Sequence, residues 1–272
     1  MRLKDYLKNR LTKKEFDIFP TSFDIVGDIA IFADLPKELN RKEKLIGNSL
    51  IKLNKNIKVV CKKIKKYSGK FRTSKLKIIA GEKRKETIYI ENGCRFMLDV
   101  EKVYFSSRLG NERKRIANLV KPNENVLVMF SGCGPYTVQI AKKAKKVTAI
   151  EANPAAHKYA LINLKLNKIK NAVVLNGDVK KMIPRLKEKF DRIVMPLPKT
   201  SMEYIKDALS ASKKGTIIHI YAFSKDNNYE GVKKTIISEC KQYGKRCRII
   251  KIVKTGEYSP RVSRVCIDFA IQ

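Results

Sequence analysis

The sequence predicts an α/β protein in which a doubly wound, mostly parallel sheet follows a smaller N-terminal α+β domain. Two observations lead to this prediction. From residue 126 onward, seven short apolar runs occur, and segments of helical periodicity separate most of them, as in sheets that carry helices on both faces. The length of 272 residues is also enough for two domains, at roughly 100–200 residues each. We place the two domains at residues 1–100 and 101–272.

The N-terminal domain is predicted from short elements separated by turns. Residues 23–32 are strand-like and are interrupted by Gly27-Asp28, and residues 37–53 have apolar side chains at helical spacing. Four short strands are expected after them, at residues 57–60, 76–79, 87–90 and 95–98. The Asn92-Gly93 pair between the last two is a strong hairpin signal. After a connector, Ser106 or Ser107 is expected to cap a helix over residues 108–120.

The C-terminal domain is predicted to contain the parallel sheet. Its strands are expected at residues 126–130, 147–150, 172–175, 192–195, 215–221, 247–253 and 264–269. Helical segments separate the first six, whereas the turn Tyr258-Ser259-Pro260 joins the last two without a helix. The sheet should therefore end in an antiparallel hairpin.

Ligands of such sheets bind beyond the carboxyl ends of the strands. The first strand ends at Gly132-x-Gly134, where glycines let the backbone approach a ligand without a Cβ in the way. The second strand ends at Glu151, whose carboxylate can accept hydrogen bonds from a ribose. Near the end of the third, Asp178 can accept from an adenine amino group, and the fourth ends at the rigid wall Pro196-Leu197-Pro198. The four strand ends together predict a nucleoside-containing cofactor.

The composition is strongly basic. The chain has 60 Lys and Arg against 26 Asp and Glu, a formal net charge of +34. A charge of this size attracts a polyanion and favours nucleic acid as the partner, with compositional bias as the alternative. No apolar run approaches the roughly 20 residues of a membrane helix, and the start has no signal-peptide core, so we expect a cytoplasmic protein.

The cysteines and histidines do not predict a metal site. None of the six cysteines belongs to a C-x-x-C pair, and the two histidines have no partners at ligand spacing. We expect reduced, buried thiols and no bound metal. Cys240 and Cys247 could form a disulfide if the source organism is a hyperthermophile, since intracellular disulfides are otherwise rare.

Six motifs occur together along the chain. They lie at residues 69–73 (Gly-Lys-Phe-Arg-Thr), 105–113 (Phe-Ser-Ser-Arg-Leu-Gly-Asn-Glu-Arg), 129–136, 151–154, 191–200 (Asp-Arg-Ile-Val-Met-Pro-Leu-Pro-Lys-Thr) and 258–260. The set resembles class I S-adenosylmethionine-dependent methyltransferases, and more closely the archaeal and eukaryotic tRNA guanosine-37 N1-methyltransferases. The resemblance implies a class I methyltransferase-like sheet, S-adenosyl-L-methionine as cofactor and tRNA as partner. The chain departs from the pattern at Val128 or Met129, where an acid is usual, and at Pro196, where many members have Asn.

The resemblance also implies roles for individual residues. Glu112 is expected to remove the proton from guanine N1, Arg108 to hydrogen-bond the guanine O6, and Arg72 to reach the target nucleotide or its phosphates. An exposed Arg–Glu pair on one helix face is the alternative for Arg108 and Glu112. The expected cofactor contacts are Ser106, Arg113, Phe130, Gly132, Gly134, Glu151 and Asp178. The target base is expected to leave its stack to reach the cofactor.

The predicted reaction is methylation of guanosine N1 at position 37 of tRNA by a monomeric enzyme. The Pro196-Leu197-Pro198 wall resembles a subset that also methylates C7 of the tricyclic wyosine precursor. One alternative is the related wyosine-pathway enzyme that transfers the aminocarboxypropyl group of the same cofactor. Another is a non-catalytic RNA-binding protein on a methyltransferase scaffold.

Overall fold

The computed structural model describes residues 2–20, 22–65, 69–225 and 228–272. The chain forms two compact units, one made of Met1–Glu91 and Arg95–Ser107 and the other of Asn92–Cys94 and Arg108–Gln272. The division into domains of residues 1–100 and 101–272 remains a prediction. None of the helices formed by the described residues has the length and apolar character needed to cross a membrane.

The N-terminal unit is built on a four-stranded sheet with the order β1-β2-β3-β4, beside a two-stranded sheet of β5 and β6. Its elements are α1 (Leu3–Leu7), α2 (Lys13–Asp17), β1 (Asp24–Val26), β2 (Ile29–Phe32), α3 (Glu43–Leu53, after a 3₁₀ segment Lys37–Lys42), β3 (Val59–Lys63), β4 (Leu76–Gly81), β5 (Glu86–Glu91) and β6 (Cys94–Asp99). Helix α3 packs on β3 and β4 and buries Ile46 and Leu50 in the core of this unit.

The turn predicted at Gly27-Asp28 is confirmed, because β1 and β2 pair antiparallel across it. Gly27 has a φ of +58°, and a Cβ at this position would collide with the Thr87 hydroxyl and the Ile88 carbonyl. Glycine is therefore required here both by backbone conformation and by space. The short helices α1 and α2 were not predicted from the sequence.

The C-terminal unit contains a seven-stranded sheet with the order β12-β13-β11-β10-β7-β8-β9. Its elements are α4 (Gly110–Leu119), β7 (Asn125–Met129), α5 (Pro135–Ala141), β8 (Lys146–Glu151), α6 (Pro154–Leu166), β9 (Ala172–Asn176), α7 (Val179–Leu186), β10 (Phe190–Met195), α8 (Ile205–Ser210), β11 (Ser212–Lys225), α9 (Tyr229–Gln242), β12 (Cys247–Ser259) and β13 (Val262–Ile271). Strands β7 to β11 are parallel to one another, and β13 pairs antiparallel with both β11 and β12. The predicted doubly wound sheet and its terminal hairpin are confirmed.

The strand order places the ligand crevice of this unit. The chain proceeds from the central β7 outward to β8 and β9, then returns to β10 on the other side of β7. Connections on the two sides leave a crevice at the carboxyl ends of β7 and β10, where ligands of open α/β sheets bind. Buried apolar residues such as Leu127, Met129, Ile193 and Met195 hold these two strands in the core.

The predicted serine cap before α4 is wrong. A 3₁₀ turn over Ser107–Leu109 precedes the helix, and Leu109 occupies the cap position without a side-chain hydrogen bond. Ser107 begins this turn and Ser106 precedes it, so neither serine is at the cap position of the α-helix. The cysteines among the described residues are all free, and Cys240 and Cys247 form no disulfide. Burial raises the pKa of the Cys240 thiol to about 12, which keeps it protonated.

Candidate active site at the carboxyl edge of the sheet

The strand register aligns the predicted site residues at one level of the C-terminal unit. Met129 pairs with Ile150, and Glu151 pairs with Asn176, so the residue after β7, Phe130, is level with Glu151. Val128 pairs with Val194, and Met195 with Ile220. By the same register Phe130 is level with Pro196 and Tyr221, so five parallel strands bring the predicted loops to a single edge.

The loop after β7 has an unusual backbone. Phe130, Gly132 and Gly134 have φ angles of +59°, +58° and +87°. Positive φ is uncommon for a bulky residue such as Phe130 and occurs preferentially at functional sites. A Cβ added to Gly132 would meet no atom within 4 Å, so the loop lies beside open space that a ligand can enter. These features fit a loop that the cofactor approaches closely.

Glu151 is fixed by the loop that it faces. Its Oε2 accepts from the Gly132 N–H at 2.7 Å, and its Oε1 accepts from the Asn153 N–H at 2.7 Å. Burial raises the pKa of this carboxyl, and the backbone donors offset part of that rise. Each oxygen keeps a further lone pair. The carboxylate is therefore oriented in advance and can accept from two ribose hydroxyls, so the residues fit an S-adenosylmethionine nucleoside.

The other predicted cofactor and base residues of this unit lie on the loops after β7, β9 and β10. The Phe130 ring contacts Tyr204 edge-on, with ring centroids 4.8 Å apart. Asp178 is half-buried and caps α7 by accepting from the Lys180 N–H at 3.1 Å. Residues 196–198 are half-buried and follow β10 directly. A half-buried apolar wall of this kind can be covered by a flat base without losing hydrogen bonds.

Glu112 is the most constrained of the predicted catalytic residues. It lies on α4, is 7% exposed, and its two oxygens accept from Arg115 at 2.7 Å (Nε to Oε2) and 2.8 Å (Nη2 to Oε1). The Tyr221 hydroxyl also donates to Oε1 at 2.6 Å, and it accepts from the Tyr136 hydroxyl at 3.0 Å. The carboxylate is thus held in one orientation by a bidentate ion pair and a buried tyrosine pair.

The polar network continues away from Glu112 into the sheet. Arg115 also donates to Asp268 at 2.6 Å, Asp268 contacts His219 Nδ1 at 2.6 Å, and His219 Nε2 lies 2.7 Å from Arg192 Nη1. Because arginine only donates, Nε2 of His219 must accept and Nδ1 must carry the proton. The imidazole is therefore neutral, and burial, its largest influence, lowers its pKa accordingly.

One buried group within the described part of the chain has metal-ligand spacing, made of His219, Cys266 and Asp268. Both imidazole nitrogens of His219 are already engaged, one of them by Arg192. Arg115 donates to the carboxylate of Asp268, and the Cys266 thiol donates to it as well, so the ligand atoms of this group already have protein partners. The group is a structural network rather than a metal site.

The remaining predicted residues have different environments. Arg113 is 2% exposed on α4, whereas Arg108 is exposed in the 3₁₀ turn that precedes this helix. The helix predicted over residues 108–120 therefore begins two residues later, Arg108 lies outside α4, and the guanidinium that binds Glu112 on this helix is that of Arg115. Ser106 and Arg72 belong to the N-terminal unit, where Arg72 has a φ of +50°.

Sequence reasoning missed the residues that hold Glu112. Arg115 could have been found, since oppositely charged residues three positions apart face each other on a helix. Tyr221 and Asp268 are separated from their partners by 109 and 153 positions, and no local pattern indicates such contacts.

Comparisons with known proteins agree with this geometry. Residues 87–250 match the TRM5/TYW2 methyltransferase domain, and residues 3–84 match the TYW2 N-terminal domain. The tRNA (guanine(37)-N(1))-methyltransferase Trm5b of Pyrococcus abyssi is 41% identical, with 93% of this chain and 75% of the relative aligned. The tRNA (guanine(37)-N(1))/4-demethylwyosine(37)-methyltransferase Taw22 of Nanoarchaeum equitans is 36% identical over 81% of this chain and 90% of the relative.

A third relative has a different activity in its name. The tRNA(Phe) (4-demethylwyosine(37)-C(7)) aminocarboxypropyltransferase of Methanocaldococcus jannaschii is 33% identical over 89% of this chain and 95% of the relative. Among solved structures, the complex of aTrm5 with tRNALeu aligns with a TM-score of 0.88 at 33% identity, over 100% of this chain and 78% of that chain. TYW2 of Pyrococcus horikoshii in complex with MeSAdo aligns with a TM-score of 0.83 at 28% identity, over 99% of this chain and 97% of that chain.

The matched domains cover most of the sequence, and their fold is the one that the strand register describes. The chain therefore belongs to the TRM5/TYW2 methyltransferase family and is an S-adenosylmethionine-dependent transferase.

Proposed function

We propose that this protein transfers a methyl group from S-adenosylmethionine to N1 of guanosine 37 in tRNA. The observation that carries the proposal is a buried carboxylate, Glu112, held in one orientation by Arg115 and Tyr221 in the unit that contains the glycine loop. The reaction needs a positioned base, because neutral guanine N1 carries a proton and is a poor nucleophile. The relatives named above include enzymes with this activity.

The cofactor supplies an electrophilic methyl group, and the protein provides the proton acceptor. Oε1 of Glu112 accepts from both Arg115 and Tyr221, whereas Oε2 accepts a single hydrogen bond from the described residues, from Arg115 Nε. Oε2 therefore has the freer lone pair, and we assign it as the atom that takes the N1 proton. Arg115 stays fully charged and keeps the carboxylate in place before and after the transfer.

The other site residues bind and orient. We assign Glu151 to the ribose hydroxyls, Asp178 to the adenine amino group and the buried Arg113 to the cofactor carboxylate. Two residues stabilise the substrate: the exposed Arg108 at the guanine O6, where negative charge develops, and Arg72 of the N-terminal unit at the target nucleotide. Ser106 and Phe130 complete the set of cofactor contacts. We expect the enzyme to act as a monomer in the cytoplasm.

The wall after β10 supports a second substrate. Pro196 has no backbone N–H to donate, and residues 196–198 are half-buried without a charged side chain. Such a wall accepts a flat base by stacking and does not select its edge by hydrogen bonding. We propose that the same site also methylates C7 of the tricyclic wyosine precursor.

The test uses labelled S-adenosylmethionine and two unmodified tRNA transcripts that differ in the base at position 37. The transcript with guanosine should incorporate one methyl group per molecule, and the transcript with adenosine should incorporate none. Equal incorporation into both transcripts would place the modification elsewhere and refute the proposal.

A second candidate function is transfer of the aminocarboxypropyl group. It is favoured by the N-terminal match to the TYW2 N-terminal domain and by the relative in which 95% of the length aligns. The two reactions release different products of the same cofactor. S-adenosylhomocysteine indicates methyl transfer, and methylthioadenosine indicates aminocarboxypropyl transfer.

A further inference from the structure

The last three strands extend past the edge that carries the candidate site. Tyr221 is level with Pro196, but β11 continues to Lys225 and pairs with β13 as far as Val262. Four further residues at about 3.3 Å each carry the strand about 13 Å beyond this level. The end of the terminal hairpin, formed by β12, β13 and the turn between them, therefore stands beside the mouth of the site.

An exposed aromatic side chain lies near the end of this hairpin. Glu257 pairs with Ser263 and Ser259 with Val262, so Tyr258 is an extra residue in β12 that forms a β-bulge. Bulges redirect a side chain and are frequent beside active sites. Tyr258 is 62% exposed, and its ring packs against Phe223 of β11, with centroids 4.2 Å apart and planes tilted by 37°.

The two rings lie on a definite face of the sheet. Side chains alternate along a strand, so Phe223 projects to the same side as Tyr221, which contacts Glu112. Phe223 is two residues beyond Tyr221, a distance of about 7 Å along the strand. The aromatic pair is therefore close enough to the candidate catalytic carboxylate to contact a neighbouring nucleotide of the same RNA strand.

Two arginines lie near the aromatic pair, on the opposite strand and in the turn. Arg264 is directly opposite Phe223 in the ladder, and its Nε is buried without a hydrogen-bond partner among the residues that the structure describes. Arg261 occupies the turn at the tip, with an exposed side chain and a φ of +61°. A positive φ after Pro260 favours glycine or asparagine, so the arginine at position 261 makes the backbone conformation of this turn less favourable.

We propose that Tyr258 and Phe223 form a stacking platform for a nucleobase adjacent to the one that is modified, with Arg261 contacting the RNA backbone. This inference rests on the proposed function, because it takes the RNA substrate from there. An aromatic ring accepts any base by stacking, and a nearby arginine neutralises the phosphate. When the target base leaves its stack, each neighbouring base loses a stacking partner, and the platform replaces that partner for one of them.

The test is RNA binding by full-length variants, with an anticodon stem-loop RNA that carries 2-aminopurine on one side or the other of the target guanosine. Wild type should quench the fluorescence of one of these two probes. Tyr258→Ala should abolish that quenching and weaken binding roughly 5- to 150-fold, the range expected for one lost base–aromatic stack. Tyr258→Phe keeps the ring and should retain both properties, and Tyr243→Ala, at another exposed tyrosine, serves as the matched control.

Arg261→Gly separates binding from folding. Glycine suits the positive φ at this position, so the variant should unfold at the same temperature as wild type or a higher one. Its RNA affinity should fall, and the dependence of log affinity on log salt should become shallower by about one unit. A Tyr258→Ala affinity within twofold of wild type, or quenching by that variant as strong as the quenching by wild type, would overturn the platform.

These outcomes are distinct from a failure of the proposed function. If wild type transfers no methyl group to position 37 but Tyr258→Ala still loses stem-loop binding, the reaction assignment fails and the platform stands. If methyl transfer proceeds and Tyr258→Ala binds and reacts as wild type does, the platform alone is wrong.

Discussion

Replacing Glu112 with glutamine tests the catalytic assignment against a purely structural one. The amide keeps one oxygen that accepts from Arg115 or Tyr221, but its NH₂ group then faces an arginine donor and cannot accept from it. Arg115 retains Asp268, so the expected loss is about one charge-assisted hydrogen bond, roughly 2 kcal/mol of unfolding free energy. If Glu112 is the base, the methyl-transfer rate should also fall by roughly 10²–10⁴-fold.

Glu124 supplies the matched control for this experiment. It is 7% exposed like Glu112, and it forms the same bidentate pair, with Arg192 at 2.7 and 2.9 Å, at the far end of the network. Glu124→Gln should lower the stability by a similar amount and leave the rate unchanged. Denaturant unfolding gives the free energies, and single-turnover methyl transfer well below the melting temperature gives the rates. A rate for Glu112→Gln within threefold of wild type, or equal rate losses in both variants, would show that Glu112 is not the catalytic base.

Three further predictions concern the substrate, the RNA contacts and the buried network. Pro196→Asn should shift methyl transfer toward tRNA with guanosine over tRNA with the tricyclic precursor, because the new side chain can hydrogen-bond a guanine edge; unchanged relative rates would contradict this. Arg72→Ala should lower turnover on tRNA at least tenfold more than it weakens cofactor binding in calorimetry, and a parallel loss would remove the assignment to RNA. Burial raises the pKa of Asp268, but His219 and Arg115 outweigh it and hold this pKa well below its usual range. The ionised Asp268 therefore stabilises the fold above the unfolded-state pKa of about 3.9, and this stabilisation is lost as the pH falls below that value. The free energy of unfolding of Asp268→Asn should consequently fall less steeply with pH below about pH 4 than that of wild type. Equal slopes would contradict the Arg115–Asp268 ion pair.

The sheet and its ligand edge were predictable because their signals are local. Strands β7 to β10 are short apolar runs between turn residues, and the register then brings Phe130, Glu151 and Pro196 to one level. Strands β11 and β12 extend beyond the predicted residues 215–221 and 247–253, to Lys225 and Ser259. The hairpin at the end of the chain was predictable for the same reason, since a turn without a helix permits only antiparallel pairing. The fold therefore followed from patterns within a few residues of each strand.

The features that were missed depend on length or on distant partners. Helices α1 and α2 have five residues each, too few for a periodic apolar pattern, although Thr12 and Glu15 form a capping box that could have indicated α2. The wrong serine cap has a related cause, because nothing in the sequence distinguishes a 3₁₀ turn from the first turn of an α-helix. Glu112 was identified by resemblance, but its pairing with Arg115 and Tyr221 depends on the packing of α4 on the sheet.

The proposed function depends on which chemical group the enzyme adds and on which atom of guanosine 37 receives it. The most direct measurement is mass spectrometry of the nucleosides released from an unmodified tRNA with guanosine at position 37, after incubation with the protein and S-adenosylmethionine. We expect 1-methylguanosine at that position and an equal amount of S-adenosylhomocysteine. A guanosine left unmodified at position 37, or methylthioadenosine as the released product of the cofactor, would contradict it.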